Sequence, residues 1–205
     1  YDLARKPVPV SPSAHYLMGG AVIDMECKTS LERLFCAGED SGGMHGANRL
    51  GGNGIADSCV YGRLAGKAMA RYLKSNKGIP ESRQEQVDEF IARYLEPFDK
   101  KDGISIYDLR HDLREINWTK IGVARTGEKL KEAITDIEEI RQKLKESSVK
   151  GGKAYNSAWN DWISLQNMIS TSTVIGGSAI LREETRGAHY RLDYPKRNDD
   201  YGLFN

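Results

Sequence analysis

Hydrophobic spacing divides the chain into two textures. Short apolar runs broken by glycine fill residues 1 to about 57, and helical periodicity takes over from there. In the first part, Gly19-Gly20 interrupts the stretch from Tyr16 to Met25 just before Ala21-Val22-Ile23, which predicts strands parted by a tight turn. Leu34-Phe35-Cys36-Ala37 is apolar without alternation and ends at Gly38-Glu39, the pattern of a parallel strand buried on both faces. The second part predicts five helices. One spans about 57–75, with Tyr61, Leu64, Ala65, Ala68 and Tyr72 as its apolar stripe and Gly62 and Gly66 leaving one face bare for close packing. After the break at Lys77-Gly78-Ile79-Pro80, Ser82 and Glu85 have capping-box spacing ahead of Val87, Phe90, Ile91 and Tyr94. A third helix should begin near Ser105 (Ile106, Leu109, Leu113, Ile116) and a fourth near Thr126 (Leu130, Ala133, Ile134, Ile137, Leu144). A long fifth should run from about Tyr155 past Ile180, with Trp159, Trp162, Leu165, Ile169 and Thr173 along one face. Residues 193–205 show no period. The expected architecture is an α/β edge followed by a helical bundle, predominantly helical overall.

Charge narrows the class. The 205 residues carry a formal net charge of +1 with 29% charged residues, and the basic ones are interspersed with acidic ones. No basic stripe marks a nucleic-acid surface. Cys27, Cys36 and Cys59 lack metal-ligand spacing and read as thiols of a reducing compartment, with Cys36 as a small buried hydrophobe. No apolar run approaches the roughly 20 residues that span a bilayer, and no signal peptide is visible. The expected location is cytoplasmic, or peripheral on the inner face of the cytoplasmic membrane through a complex. The chain opens at Tyr1 and runs into the proline-punctuated stretch from Lys6 to Pro12, as the interior of a longer polypeptide would.

Two places carry candidate chemistry. A strand ending in Gly38-Glu39 would deliver a carboxylate to the sheet edge where ligands bind in open α/β folds, within reach of ribose or ribityl hydroxyls. The run from His45 to Gly54 places small and turn-forming residues on both sides of Arg49, ahead of a helix; converging backbone N–H groups there suit an anion or an electron-rich ring. Alone, an acid closing a strand is more often simply solvated, and the second pattern fits a plain glycine-rich loop equally well. His111 reads as solvated, Trp118, Trp159 and Trp162 as core or interface residues, and the Arg186/His189 cluster as either a partner contact or a domain closure.

In combination the blocks say more. Ser13-Ala14-His15-Tyr16-Leu17-Met18-Gly19-Gly20, Gly38-Glu39, the run from His45 to Asn53, Tyr61-Gly62-Arg63-Leu64-Ala65-Gly66, and the stretch from Arg182 to Arg191 with Asp193-Tyr194-Pro195 occur in the order seen in one family. The chain resembles the C-terminal portion of succinate dehydrogenase and fumarate reductase flavoproteins. That resemblance implies residues 1–76 as the C-terminal part of a FAD-binding domain and residues 80–205 as the helical C-terminal domain. It implies His15 and Arg49 as substrate ligands, each holding a carboxylate of succinate or fumarate, and Glu39, Gly54 and Ile55 as FAD contacts. The implied reaction is hydride transfer at flavin N5. The family's proton-donor arginine, its flavin-tethering histidine and its Gly-x-Gly-x-x-Gly fingerprint have no counterpart here, so no catalytic residue is expected in this segment, which should be inactive alone. Two departures stand out. Gly54 occupies a position where membrane-complex members carry serine, and one residue fewer separates Glu39 from Arg49. Both features look like soluble fumarate reductases, whereas the Arg186-Gly187-Ala188-His189 block looks like membrane-complex flavoproteins and L-aspartate oxidases. L-aspartate oxidase, or another FAD-dependent dicarboxylate dehydrogenase, ranks second because aspartate oxidases tend to interrupt the Gly51-Gly52 pair. The family also implies a partner iron–sulfur subunit, with membrane association only through partners, and the helices could act as its docking module.

Overall fold

The computed structural model describes residues 2, 4–10, 13, 15–76, 78 and 81–200. Expectations that rest on Ser11, Pro12, Ala14, Lys77, Ile79, Pro80 and the last five residues lie outside them. The chain forms two compact units, Tyr1–Gly78 and Ile79–Tyr201.

The first unit is built on one long helix, α1 (Asn53–Ser75). It starts four residues ahead of the expected Asp57, because Gly52, at φ +83°, turns the chain into the helix in a conformation that glycine adopts without strain. Asp57 therefore lies one turn inside α1. The expected buried strand over 34–37 does not form. Phe35 makes a single antiparallel bridge with Lys28, and Leu34 is 49% exposed. A strand apolar on both faces needs neighbours in its sheet and a layer on each side, and this unit supplies one helix. What order the loops have comes from short-range bonds: Cys36 N–H donates to Cys27 O (3.0 Å) and Thr29 N–H to Leu34 O (3.0 Å). Among its described residues the buried apolar ones are Cys27, Ala65 and Ala68, with Phe35 edge-on to Tyr72. Cys27, not the half-buried Cys36, is the fully buried thiol; burial raises the pKa of both.

The second unit is a helical bundle with a large core. It comprises α2 (Gln84–Leu95), a 3₁₀ turn at Glu96–Phe98, α3 (Ile106–Ile116), a π-helical turn at Asn117–Ile121, β1 (Ala124–Arg125), α4 (Gly127–Lys145), α5 (Ser157–Leu181) and β2 (Tyr190–Arg191). The two short strands pair in parallel, Ala124 with Tyr190 and Arg125 with Arg191. Side chains cap three helices as their types suggest: Ser105 accepts from Asp108 N–H, Thr126 from Lys129 N–H and Asn156 from Trp159 N–H. The capping box at Ser82 and Glu85 does not form; α2 begins after Arg83 with no side-chain cap. Leu109, Leu113, Leu130, Ala133, Ile137, Leu165 and Ile169 are buried together, drawn from the predicted stripes of α3, α4 and α5. Trp162 is buried and donates its indole N–H to Ser147 Oγ (2.8 Å), whereas Trp159 packs edge-on to Phe98 and donates to Tyr94 O. Trp118 and His111 are exposed.

The segment after α5 locks this bundle. Arg191, 2% exposed, donates through Nη1 to the carbonyls of Ala179 (2.7 Å), Ile180 (3.3 Å) and Arg182 (3.4 Å), satisfying the carboxyl end of α5. Its Nε and Nη2 pair with Asp193, which accepts Gly127 N–H at the start of α4 (2.7 Å). Glu184 is fully buried and receives Arg182 Nε, Arg186 Nε and Asn198 N–H, each at 2.8 Å. His189 Nε2 donates to Arg182 O (2.9 Å), which leaves Nδ1 to accept from Arg125 Nη1 (2.8 Å). Of the two roles open to Arg186 and His189, the structure shows the closing of the domain. Among the described residues no helix is long and apolar enough to cross a membrane.

Candidate functional site

The glycine-rich half of the chain holds its loops together by close backbone approach. Ala21 N–H donates to Asp40 O (2.8 Å) and Gly42 N–H to Ala21 O (3.0 Å). A Cβ on Gly20 would lie 2.2 Å from Asp40 O, so only glycine fits where these strands of backbone cross. This staple fixes the segment that carries His15 and Tyr16 against the turn that carries Glu39. Glu39 Oε1 accepts Leu17 N–H (2.9 Å), a second tie between the same two segments. Ser41, buried, donates to Gly38 O (2.7 Å) and closes the turn.

Arg49 sits in the loop between Gly46 and Gly52, both at positive φ. Its guanidinium carbon lies 4.4 Å from the centre of the Tyr16 ring. Nη1 reaches Leu50 O at 3.3 Å, and Nε is buried without a hydrogen-bond partner. No carboxylate among the described residues pairs with Arg49. The Tyr16 hydroxyl donates to Asp57 Oδ2 (2.7 Å), and His45 Nε2 lies 3.2 Å from that oxygen and 3.3 Å from the hydroxyl. Asp57 is 5% exposed, and its Oδ1 has no partner. The hydrogen bond to Asp57 pushes the Tyr16 phenol up to about 12, with burial adding to the effect. A Cβ on Gly54 would meet Tyr16 Cε2 at 2.9 Å, so this glycine gives the ring its place.

Of the residues expected to act, the structure brings Arg49 and Gly54 together against Tyr16, where a Cβ on Gly54 would also lie 3.6 Å from Arg49 Nη1. His15 is the residue next to Tyr16 and is exposed. Glu39 is exposed and holds the same segment, and Ile55, 79% exposed, lies in the first turn of α1. Sequence reasoning assigned no role to Tyr16, His45 or Asp57. His45 and Tyr16 stood within the recognised blocks, but 41 positions separate Tyr16 from Asp57 and no spacing rule joins them.

Comparison with known proteins identifies the class. Residues 110–203 match the family described as fumarate reductase flavoprotein C-term, and residues 1–55 match the FAD binding domain. The chain belongs to the fumarate reductase/succinate dehydrogenase flavoprotein family and corresponds to its C-terminal part. It is 35% identical over 206 residues to a fumarate reductase (CoM/CoB) subunit of Methanothermobacter marburgensis, covering 98% of this chain and 36% of that protein. An uncharacterized FAD-dependent oxidoreductase of Methanocaldococcus jannaschii is also 35% identical, over 98% of this chain and 36% of its own length. A quinol-fumarate reductase solved with menaquinol molecules superposes with a TM-score of 0.89 at 32% identity, over 97% of this chain and 35% of that one. The chain thus spans about a third of the length of the curated relatives it matches.

The residues present suit part of a FAD site. The amino end of α1 has no side-chain cap, its Asn53 N–H donating to Leu50 O (3.2 Å), and Leu50 (75% exposed) and Ile55 flank it in sequence, so a helix end without a side-chain cap and apolar surface occur together. No atom of the described residues would lie within 4 Å of a Cβ added to Gly51 or Gly52, which leaves their backbone open to close approach.

Proposed function

We propose that this chain is part of a FAD-dependent oxidoreductase that interconverts succinate and fumarate, and that it carries one side of the dicarboxylate site. The observation that carries the reading is Arg49: a half-buried guanidinium laid on an aromatic face, with no carboxylate of its own, inside a His-Gly-Ala-Asn-Arg block. Arginine can grip a substrate carboxylate through two parallel N–H bonds, and His15 can donate a further one. Glu39 accepts from a ribose or ribityl hydroxyl, while Gly54 and Ile55 lie along the flavin. Bound FAD supplies the hydride acceptor and donor at its N5. The proton-donating arginine lies outside this segment, so these residues bind and orient without completing the reaction.

Residues 1–76 act as the C-terminal part of the FAD-binding domain and residues 80–205 as the helical C-terminal domain. The same family membership supports an electron partner in the form of an iron–sulfur subunit, with any membrane association made through partner subunits. The test is the visible spectrum of the native polypeptide, purified from its source, before and after succinate is added. A flavin band that bleaches is expected. A flavin that ignores succinate and bleaches with L-aspartate assigns the protein to the aspartate oxidases instead, and the lack of any flavin overturns the reading.

A further inference from the structure

Arg49 and Asp57 touch the same tyrosine. The Arg49 guanidinium lies 4.4 Å from the Tyr16 ring centre, and the hydroxyl of that ring donates to Asp57 Oδ2 at 2.7 Å. Asp57 is a buried carboxylate with Oδ1 unpartnered, and Arg49 is a cation whose Nε is buried and unpartnered. Two such groups attract, and their collapse into an ion pair would withdraw the guanidinium from any ligand. Three features oppose that collapse. The hydroxyl occupies Asp57 Oδ2. His45 stands edge-on to the ring at 5.3 Å and 82°, with Nε2 3.2 Å from the same oxygen. Gly54 presses on the ring from the helix side, where a Cβ would already be at 2.9 Å.

We propose that Tyr16 is a positioning residue for dicarboxylate binding: its ring holds the Arg49 guanidinium flat, and its hydroxyl occupies Asp57 so that Arg49 stays available to substrate. His45 is the second donor that keeps Asp57 turned toward the phenol. Hydrogen bonding to a carboxylate also enriches the phenol ring in electron density, which deepens its attraction for the cation above it. The inference rests on the reading of Arg49 as a substrate clamp, and its test separates the two.

The experiment measures the dissociation constant of malonate by calorimetry in the complete flavoprotein with FAD bound, alongside KM and kcat for succinate. Tyr16→Phe keeps the ring and frees Asp57. Malonate binding should weaken by about tenfold, with KM rising and kcat changing much less. Adding Asp57→Asn to Tyr16→Phe removes the competing charge and should restore affinity to within about threefold, which a residue that merely filled space would not allow. Asp57→Asn alone retains an acceptor for the phenol and should change affinity by less than about twofold. An unchanged affinity in Tyr16→Phe, no recovery in the double variant, or a tenfold loss in Asp57→Asn alone each overturns the proposal. Arg49→Ala is the control for the underlying reading: if it binds malonate as well as the parent does, the clamp assignment itself fails, whatever Tyr16 does.

Discussion

Arg49 in the first unit and the arginine cluster that follows α5 in the second are used in opposite ways, although other arginines of the first unit, such as Arg71 with Glu26, are paired. In the second, Arg191, Arg186 and Arg182 all turn inward, onto Asp193, Glu184 and the carbonyls that end α5. In the first, Arg49 rests on an aromatic face with no carboxylate, beside a buried carboxylate that has one oxygen unpartnered. The cores differ in the same direction. Leu113, Leu130 and Ile169 are each 0% exposed in the second unit, while the first leaves Leu31, Leu73 and Val22 mostly exposed and, among its described residues, buries only small apolar ones. A region whose charged groups are mostly paired within it around a large apolar core is a scaffold, even with Gln166 Nε2 and Arg182 Nη2 buried there without a partner. A region that leaves a charged pair of groups unsatisfied and its large apolar residues exposed is part of a surface that something else completes, and a chain spanning about a third of its relatives has room for that completion in the full-length protein.

The comparison is sharpest in the core. Leu130→Ala, at a fully buried position of α4, should lower the unfolding free energy of the second unit by about 3 kcal/mol, measured by urea denaturation followed by circular dichroism. Glu184→Gln tests the charged lock. It leaves two arginines beside a neutral amide in a buried place, and a similar loss of about 3 kcal/mol is expected, since removing one partner of a buried pair costs more than the pair contributes.

Acid should unlock the same segment in two stages. Burial, aided by the nearby charges of Arg125, Arg182 and Arg191, holds the His189 imidazole below its ordinary value. The unfolded chain therefore takes up this proton first, and stability falls as pH drops below about 6.5. Glu184 is held at about 2, chiefly by the hydrogen bond from Arg186, so its contribution is present above the ordinary carboxylate range and is lost as pH falls from about 4.5 toward 2. Melting temperatures between pH 8 and pH 3 should show both losses, and His189→Gln should flatten the first. The smallest effect belongs to the first unit: Leu73→Ala, at a position 64% exposed, should change stability by less than about 0.5 kcal/mol. A large loss there would break the contrast between the units.

Helices were readable in the sequence where apolar stripes and local caps agreed. Ser105 and Thr126 stood just ahead of the stripes of α3 and α4 and do cap them, because a cap is a contact three residues long. The capping box ahead of α2 misled for the complementary reason: with no residue of α2 buried, no packing held its first turn at the predicted place. The strand over 34–37 was misread because its pattern describes a sheet whose neighbours this unit does not contain. Arg49 was visible as a candidate through its glycine-rich surroundings. Its support was not, because Tyr16 and Asp57 meet across 41 positions and the phenol of a tyrosine carries no spacing signature. The capping of α5 by Arg191 was hidden in the same way, since the arginine lies on the far side of a turn from the carbonyls it satisfies.

The most direct measurement pairs Arg49→Ala with Arg191→Ala in the complete FAD-loaded flavoprotein and records malonate affinity and melting temperature on the same samples. Arg49→Ala should abolish malonate binding and leave the melting temperature within about 2 °C of the parent, while Arg191→Ala should lower the melting temperature by several degrees and leave affinity unchanged in the molecules that remain folded. If Arg49→Ala binds malonate normally, or destabilises the protein as much as Arg191→Ala does, Arg49 is a structural residue like the others and the division between site and scaffold is wrong.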